Sequence, residues 1–189
     1  MIFASNNQNK LNEIRKIFKD YQILSLKDVK IEVDVKEDGK TYFDNALKKA
    51  KKIFKLTKIP TIADDSGLEI LGLNNWPGVM TKRICDDDTK RNMLFIEKCQ
   101  NISDKRIKAV CVLVYYDGKN TITGMGELLG TITDKIYEGN GFGFDKIFRL
   151  ENGQVISSLT SEEKNTISAR YLACKDLLER IQKNTNNSL

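Results

Sequence analysis

At 189 residues, 40% hydrophobic and 30% charged, the chain has the size of one full domain and is short for two. Its 31 Lys and Arg against 26 Asp and Glu leave a net charge of +5 spread along the chain, which suits polyanionic small molecules as well as nucleic acid. The sequence has 0 histidines, which excludes serine-histidine catalysis, H-E-x-x-H zinc sites and imidazole acid-base chemistry, and leaves carboxylates, lysines or thiols to carry any reaction.

In chain order, MIFAS predicts a short strand, and LNEIRKIF a helix with Leu11, Ile14, Ile17 and Phe18 on one face. TYFDNALKKAKKIFKL repeats the helical signal through Phe43, Leu47, Ala50 and Phe54, and the Ile59-Pro60 break leads into the strand TIA. That strand is expected to end on Asp64 and Asp65, followed by the turn pair Ser66 and Gly67. NMLFIEKC predicts a helix, and the run from Arg106 to Thr133 predicts long strands turned by Asp117-Gly118. Thr160 and Glu163 form a capping-box pattern opening a helix whose buried stripe would be Ile167, Tyr171, Cys174, Leu178 and Ile181. The fold class is α/β with a mixed sheet, one domain over residues 1–183, with a frayed tail over 184–189.

Cys85, Cys99, Cys111 and Cys174 form no C-x-x-C pair, so neither a zinc knuckle nor a redox motif is visible and a reduced, cytosolic setting is expected. No uncharged run approaches the ~18 residues needed to cross a bilayer and no signal-peptide pattern precedes the first strand, so a soluble protein without membrane partners is expected.

Four short stretches can carry chemistry. SNNQNK (Ser5, Asn6, Asn7, Gln8, Asn9, Lys10) fills the first strand-to-helix turn with small polar side chains and a lysine. It is either a phosphate site built on helix N-terminal amides or an asparagine cap beside a solvated lysine, and it is not a Walker loop. GNGFGFD, with Phe142, Gly143, Phe144 and Asp145, fails the G-x-G-x-x-G test. Its rings either stack on a base, with Asp145 accepting from the base edge, or return to the core. Asp64 and Asp65 are turn residues, a cap, or hard oxygen ligands of the kind Mg²⁺ takes beside phosphates. Asp44, in Thr41-x-x-Asp44, is a first-turn residue favoured by the helix dipole or a further ligand. In EEKNTISAR, Lys164, Ser168 and Arg170 either face solvent or grip a phosphate or a purine carbonyl.

Taken together, S-x-N-x-x-K-x-x-E (Ser5, Asn7, Lys10, Glu13), T-Y-F-D-N-A-L-K-K-A, A-D-D-S-G-L, P-G-V-x-x-x-R (Pro77 to Arg83), G-F-G-F-D and E-K-N-x-I-S-x-R resemble, in order and approximate spacing, the inosine triphosphate pyrophosphatase family. The resemblance runs from the first strand to about residue 175. It implies an elongated α/β fold with a cleft between two lobes, usually a homodimer, and Mg²⁺-dependent hydrolysis of ITP, dITP and XTP to the monophosphate and pyrophosphate. It also implies that Ser5, Asn7 and Lys10, helped by Lys49, hold the triphosphate. Asp44 and Asp65 would meet the metal, Asp65 would serve as general base, and Asp64 and Ser66 would lie beside it. Phe142 would stack on the purine, framed by Asp145, Lys164, Ser168 and Arg170.

Three positions depart from that pattern: Asp44 stands where the family commonly has Glu, Lys146 replaces a usual proline, and Ala169 stands where S-H-R has histidine. At ~100° per residue Asp44 and Lys49 lie about 140° apart on their helix, so Lys48 is the expected surface partner of Asp44. Two rival expectations are a Maf-like pyrophosphatase of pyrimidine or modified nucleotides and a nucleotide-binding regulator without turnover. Nucleic-acid binding, suggested only by charge, is not expected.

Overall fold

The computed structural model describes residues 1–186, with side chains through 184. Strand β1 (Ile2–Phe3) gives way to helix α1 (Gln8–Ile17) at Asn7, whose side-chain oxygen accepts the N–H groups of Asn9 at 2.9 Å and Lys10 at 3.2 Å. Such a cap contributes ~1 kcal/mol. Leu11, Ile14 and Phe18 are buried as their spacing predicts, and Ile17 is half-buried. Glu13 is buried too, which an apolar pattern does not announce.

Helix α2 (Tyr42–Thr57) opens on a full capping box, with Thr41 Oγ1 accepting from the Asp44 N–H and Asp44 Oδ2 accepting from the Thr41 N–H. Its buried face is Tyr42, Asn45, Ala46, Ala50 and Ile53. Of the expected stripe only Ala50 is buried, and Phe43 is exposed. The buried face is built around two alanines, Ala46 and Ala50, and not on the bulkier phenylalanines. Phe54 instead packs edge-on against Tyr116, with ring centroids 5.2 Å apart.

Strand β2 (Thr61–Ile70) does not end at the aspartates but continues through Ser66 and Gly67. It pairs parallel with β1 at Thr61 and Ile62, and antiparallel with β3 (Trp76–Gly78) from Leu68 to Ile70. Ladder partners on the far side of Ser66-Gly67 hold the backbone extended where turn propensity alone would bend it. Helix α3 (Asp88–Cys99) then leads to β4 (Arg106–Tyr116) and β5 (Thr121–Ile132), turned at Asp117–Asn120, and β5 pairs antiparallel with β6 (Phe148–Arg149). The sheet order is β1-β2-β4-β5-β6, so the α/β class and the mixed sheet expected from the sequence are observed.

The Thr160-Glu163 capping box is present, but the helix it opens is interrupted: α4 (Ser161–Ile167) stops at Ser168, whose ψ of 152° is extended, and α5 (Ala169–Asn186) starts anew. The break resets the helical phase. The buried stripe of α5 is therefore Arg170, Ala173, Cys174 and Leu177, and Tyr171, Leu178 and Ile181 are half-buried. Of the expected tail, residues 184–186 are helical and 187–189 lie outside the described residues.

The chain divides into two compact units. The first comprises residues 1–65, 111–126 and those from 169 onward. It holds Ile2, Phe3, Ile14, Phe18, Ile53, Ile62, Leu113 and Leu177 in its core, with α1 packed against α5. A methyl on Gly126 would sit 2.1 Å from the Ala169 carbonyl oxygen, so only glycine lets β5 pass this close to α5. The second unit comprises residues 66–110 and 127–168, with Leu68, Ile70, Phe95, Ile107, Ile147 and Phe148 in its core. Trp76 stacks edge-on against Phe95 there at 5.4 Å. Among the described residues no helix is long and apolar enough to cross a membrane.

Candidate active site

Asp64 and Asp65 are consecutive in β2, so their side chains leave the strand on opposite sides. In the first unit Asp64 is fully buried, its Oδ2 accepting from Lys10 Nζ at 2.8 Å and from Arg170 Nη2 at 3.3 Å. Arg170 Nη1 donates to Glu13, and Lys49 Nζ donates both to the Asp64 main-chain oxygen and to Glu37. Burial alone would raise the Asp64 carboxyl, but Lys10, Arg170 and Lys49 outweigh it and hold the group well below the usual carboxylate range. Asp64 is thus a permanent anion locked among cations.

Asp65 behaves in the opposite way. It is 6% exposed and accepts from Asn45 Nδ2 at 2.8 Å. Burial pushes its carboxyl up to about 6, with the negative charges of Glu37 and Asp64 adding to the effect against Lys49 and the Asn45 hydrogen bond. Two adjacent carboxylates are thereby driven apart, one fixed as a charge and one poised to take a proton near neutral pH.

The other predicted residues of this unit surround that pair by sequence or contact. Asp44 is exposed and caps α2, next in sequence to Asn45, which touches Asp65. Its expected partner Lys48 pairs instead with Asp38, and Lys49 with Glu37. The reason is that Asp44 is engaged by the Thr41 N–H and the segment before α2 brings Glu37 and Asp38 to both lysines. In the turn before α1, Ser5 accepts from the Asn7 N–H at 3.2 Å and Asn7 caps the helix, while Asn6, Gln8 and Asn9 are exposed.

The second unit holds the other constellation. Lys164 Nζ donates to Asp145 Oδ2 at 2.6 Å and stands 4.2 Å from the centre of the Phe142 ring. Asp145 Oδ2 also accepts from the Phe142 N–H at 2.8 Å, so one buried carboxylate fixes both the lysine and the backbone that presents the ring. Gly143 has φ +62°, a left-handed conformation that favours glycine, and Phe144 beside it is half-buried. Ser66 is half-buried and Ser168 is buried at the C-terminal cap of α4. Ala169 is 6% exposed.

Among the described residues no three His, Cys, Asp or Glu side chains converge on a point that could hold a metal ion. Mg²⁺, however, is commonly held by one or two carboxylates together with waters and substrate phosphates. Asp65, whose ionised form is disfavoured by burial and by neighbouring anions, gains from a nearby cation, so its carboxylate fits such an ion. Asp64, on the other side of β2, has Lys10 and Arg170 as its cations instead.

Several residues here were not assigned roles from sequence. Glu13 stood inside a motif with no task, and Asn45 followed Asp44 in D-N-A, so both had a weak signal. Glu37 had none beyond polarity.

The sequence profile of the Ham1 family matches residues 1–180. The chain is 39% identical to the dITP/XTP pyrophosphatase of Borrelia duttonii (strain Ly), covering 92% of each chain. It is 38% identical to the dITP/XTP pyrophosphatase of Clostridium perfringens (strain 13 / Type A), covering 96% of each. The solved structure of a HAM1 protein from Coxiella burnetii superimposes with a TM-score of 0.87 at 30% identity, covering 96% of this chain and 98% of that one.

Proposed function

The chain belongs to the Ham1 family, and from that premise we propose that it hydrolyses the non-standard purine nucleoside triphosphates ITP, dITP and XTP to the monophosphate and pyrophosphate. The observation that carries the reading is the Asp64-Asp65 pair, one carboxylate held ionised by cations and its neighbour raised to about 6. In the proposed reaction Asp65 accepts the proton of a water whose oxygen bonds to the α-phosphorus, while the α–β bridging P–O bond breaks and pyrophosphate leaves. Lys10 and Lys49, with Ser5 and Asn7, receive the triphosphate, and their charges oppose the negative charge growing on the leaving group. A magnesium ion held by Asp65 and Asp44 would supply Lewis-acid relief of that charge, while Asp64, on the other side of β2, stays paired with Lys10 and Arg170. Phe142 stacks on the purine, and Asp145 and Lys164 meet its edge. The reading includes a cytoplasmic homodimer acting on free nucleotides.

The test is a panel of purine and pyrimidine nucleoside triphosphates with and without Mg²⁺, following monophosphate and pyrophosphate by anion exchange. Preferred turnover of ITP and XTP, abolished by a chelator, is expected. Preference for pyrimidine triphosphates, or release of single phosphates, would overturn the reading. Phe142→Ala is expected to raise KM with kcat little changed, since stacking contributes about 1–3 kcal/mol per base. An unchanged KM would return Phe142 to the core. Ala169→His is expected to raise the ITP-to-ATP ratio of kcat/KM by about 2- to 13-fold, the value of one hydrogen bond at a base edge. A constant ratio would show that position 169 does not read the base.

A further inference from the structure

The backbone that presents Phe142 is gripped from outside its own loop. The Gly143 N–H donates to Asp88 Oδ2 at 2.9 Å, and the Gly143 carbonyl oxygen accepts from Asn92 Nδ2 at 2.8 Å. Both side chains come from the first turns of α3, so a single rigid helix holds both polar groups of one peptide-flanking residue. Arg91 secures the clamp: it is 4% exposed, Nη2 donates to Asp88 Oδ1, and Nη1 donates to the Cys85 carbonyl oxygen at 2.5 Å.

Asn92 is 1% exposed, and its Oδ1 is buried with no hydrogen-bond partner among the described residues. A leucine there would avoid that orphaned acceptor. Retaining an amide at the expense of an unsatisfied oxygen makes sense if its N–H group has work to do, and in the structure that group meets Gly143. The 139–145 loop needs such a hold, because its glycines give the backbone few restraints of its own.

We propose that Asn92 and Asp88 are positioning residues for base recognition, setting the placement of the Phe142 ring by clamping Gly143. The inference rests on base stacking at Phe142. Both clamp hydrogen bonds end on Gly143, next to Phe142, so the clamp acts on binding of the base and not on the chemical step.

The experiment compares the parent protein with Asn92→Leu, Asp88→Ala, Asp88→Asn and Phe142→Ala. Each is assayed for KM and kcat with ITP and for inhibition by inosine monophosphate and by inorganic pyrophosphate, which lacks a base. Asn92→Leu is expected to raise KM and the IMP inhibition constant by about 3- to 10-fold, as for one lost hydrogen bond. The pyrophosphate constant and kcat should stay within about twofold. Asp88→Ala should behave alike, and Asp88→Asn, which keeps an oxygen acceptor for the Gly143 N–H, should recover most of the loss. If Asn92→Leu fails to fold, the Asp88 pair carries the same comparison. Unchanged KM in the clamp variants, or IMP and pyrophosphate constants that move together, would overturn the proposal. Phe142→Ala separates the two failures. If it raises KM while the clamp variants do not, only the positioning role is lost; if it too has no effect, base stacking at Phe142 falls as well.

Discussion

Asp65→Asn is expected to reduce kcat by about 10²- to 10⁴-fold, the usual contribution of a positioned general base, while the protein stays folded. The substitution is nearly isosteric and keeps an oxygen to accept from Asn45, so the loss would be chemical. The same variant carries a thermodynamic signature. The folded Asp65 carboxyl is pushed from 3.8 up to about 6, so the folded state holds this proton more tightly than the unfolded chain does. The stability it contributes is present below pH ~4 and is lost as pH rises through about 6. In metal-free protein at pH 8, Asp65→Asn is therefore expected to be more stable than the parent, by up to about 3 kcal/mol for a shift of about two units. Urea unfolding in a chelator at pH 4 and pH 8 measures this, and the advantage should shrink at the lower pH. The parent's kcat/KM should fall on the acid side, at a pH below ~6 because Mg²⁺ favours the ionised carboxylate, and that limb should vanish from the residual activity of the variant. A folded Asp65→Asn protein with near-normal turnover would remove the general-base assignment, and a pH-independent stability difference would remove the burial argument.

Arg170→Met is expected to cost about 3–5 kcal/mol of stability, the range for removing one partner of a buried ion network. Arg170 is 9% exposed and donates to both Glu13 and Asp64. Without it, Asp64 is left with Lys10 and the more distant Lys49, and Glu13 loses the guanidinium that pairs with it. Against a typical total of about 5–15 kcal/mol, the loss is large enough to show as a lowered urea midpoint. The pH dependence runs opposite to that of Asp65. Asp64's depressed carboxyl contributes stability above its unfolded value that is lost as pH falls, and Arg170→Met should flatten that acid limb. Combining it with Glu13→Gln should recover part of the loss, because the second change removes one stranded charge. Strict additivity of the two, or a loss below about 1 kcal/mol, would mean that the network is not coupled as the contacts indicate.

The sequence by itself determined most of what depends on neighbours a few residues apart. The caps at Asn7 and Thr160 and the hairpin turn at Asp117 are local hydrogen-bond chemistry, and each is present where its residues predict. The six ordered motifs carried the family, and the match over residues 1–180 bears that resemblance out. Where a local pattern was extended past a break or weighted by bulk, it failed. The stripe of α5 slipped because Ser168 resets the phase, and the buried face of α2 holds two alanines where phenylalanines were expected.

Only the tertiary structure decided which charges meet. Lys10 and Asp64 are 54 residues apart, Asp64 and Arg170 are 106 apart, and Glu13 and Arg170 are 157 apart. No periodicity connects such positions. The opposite fates of Asp64 and Asp65 follow from that assembly, since adjacent aspartates with the same intrinsic acidity are separated only by what packs against each side of one strand. The clamp of α3 on Gly143 is of the same kind, a contact over 51 residues that appears once two distant segments are folded against each other.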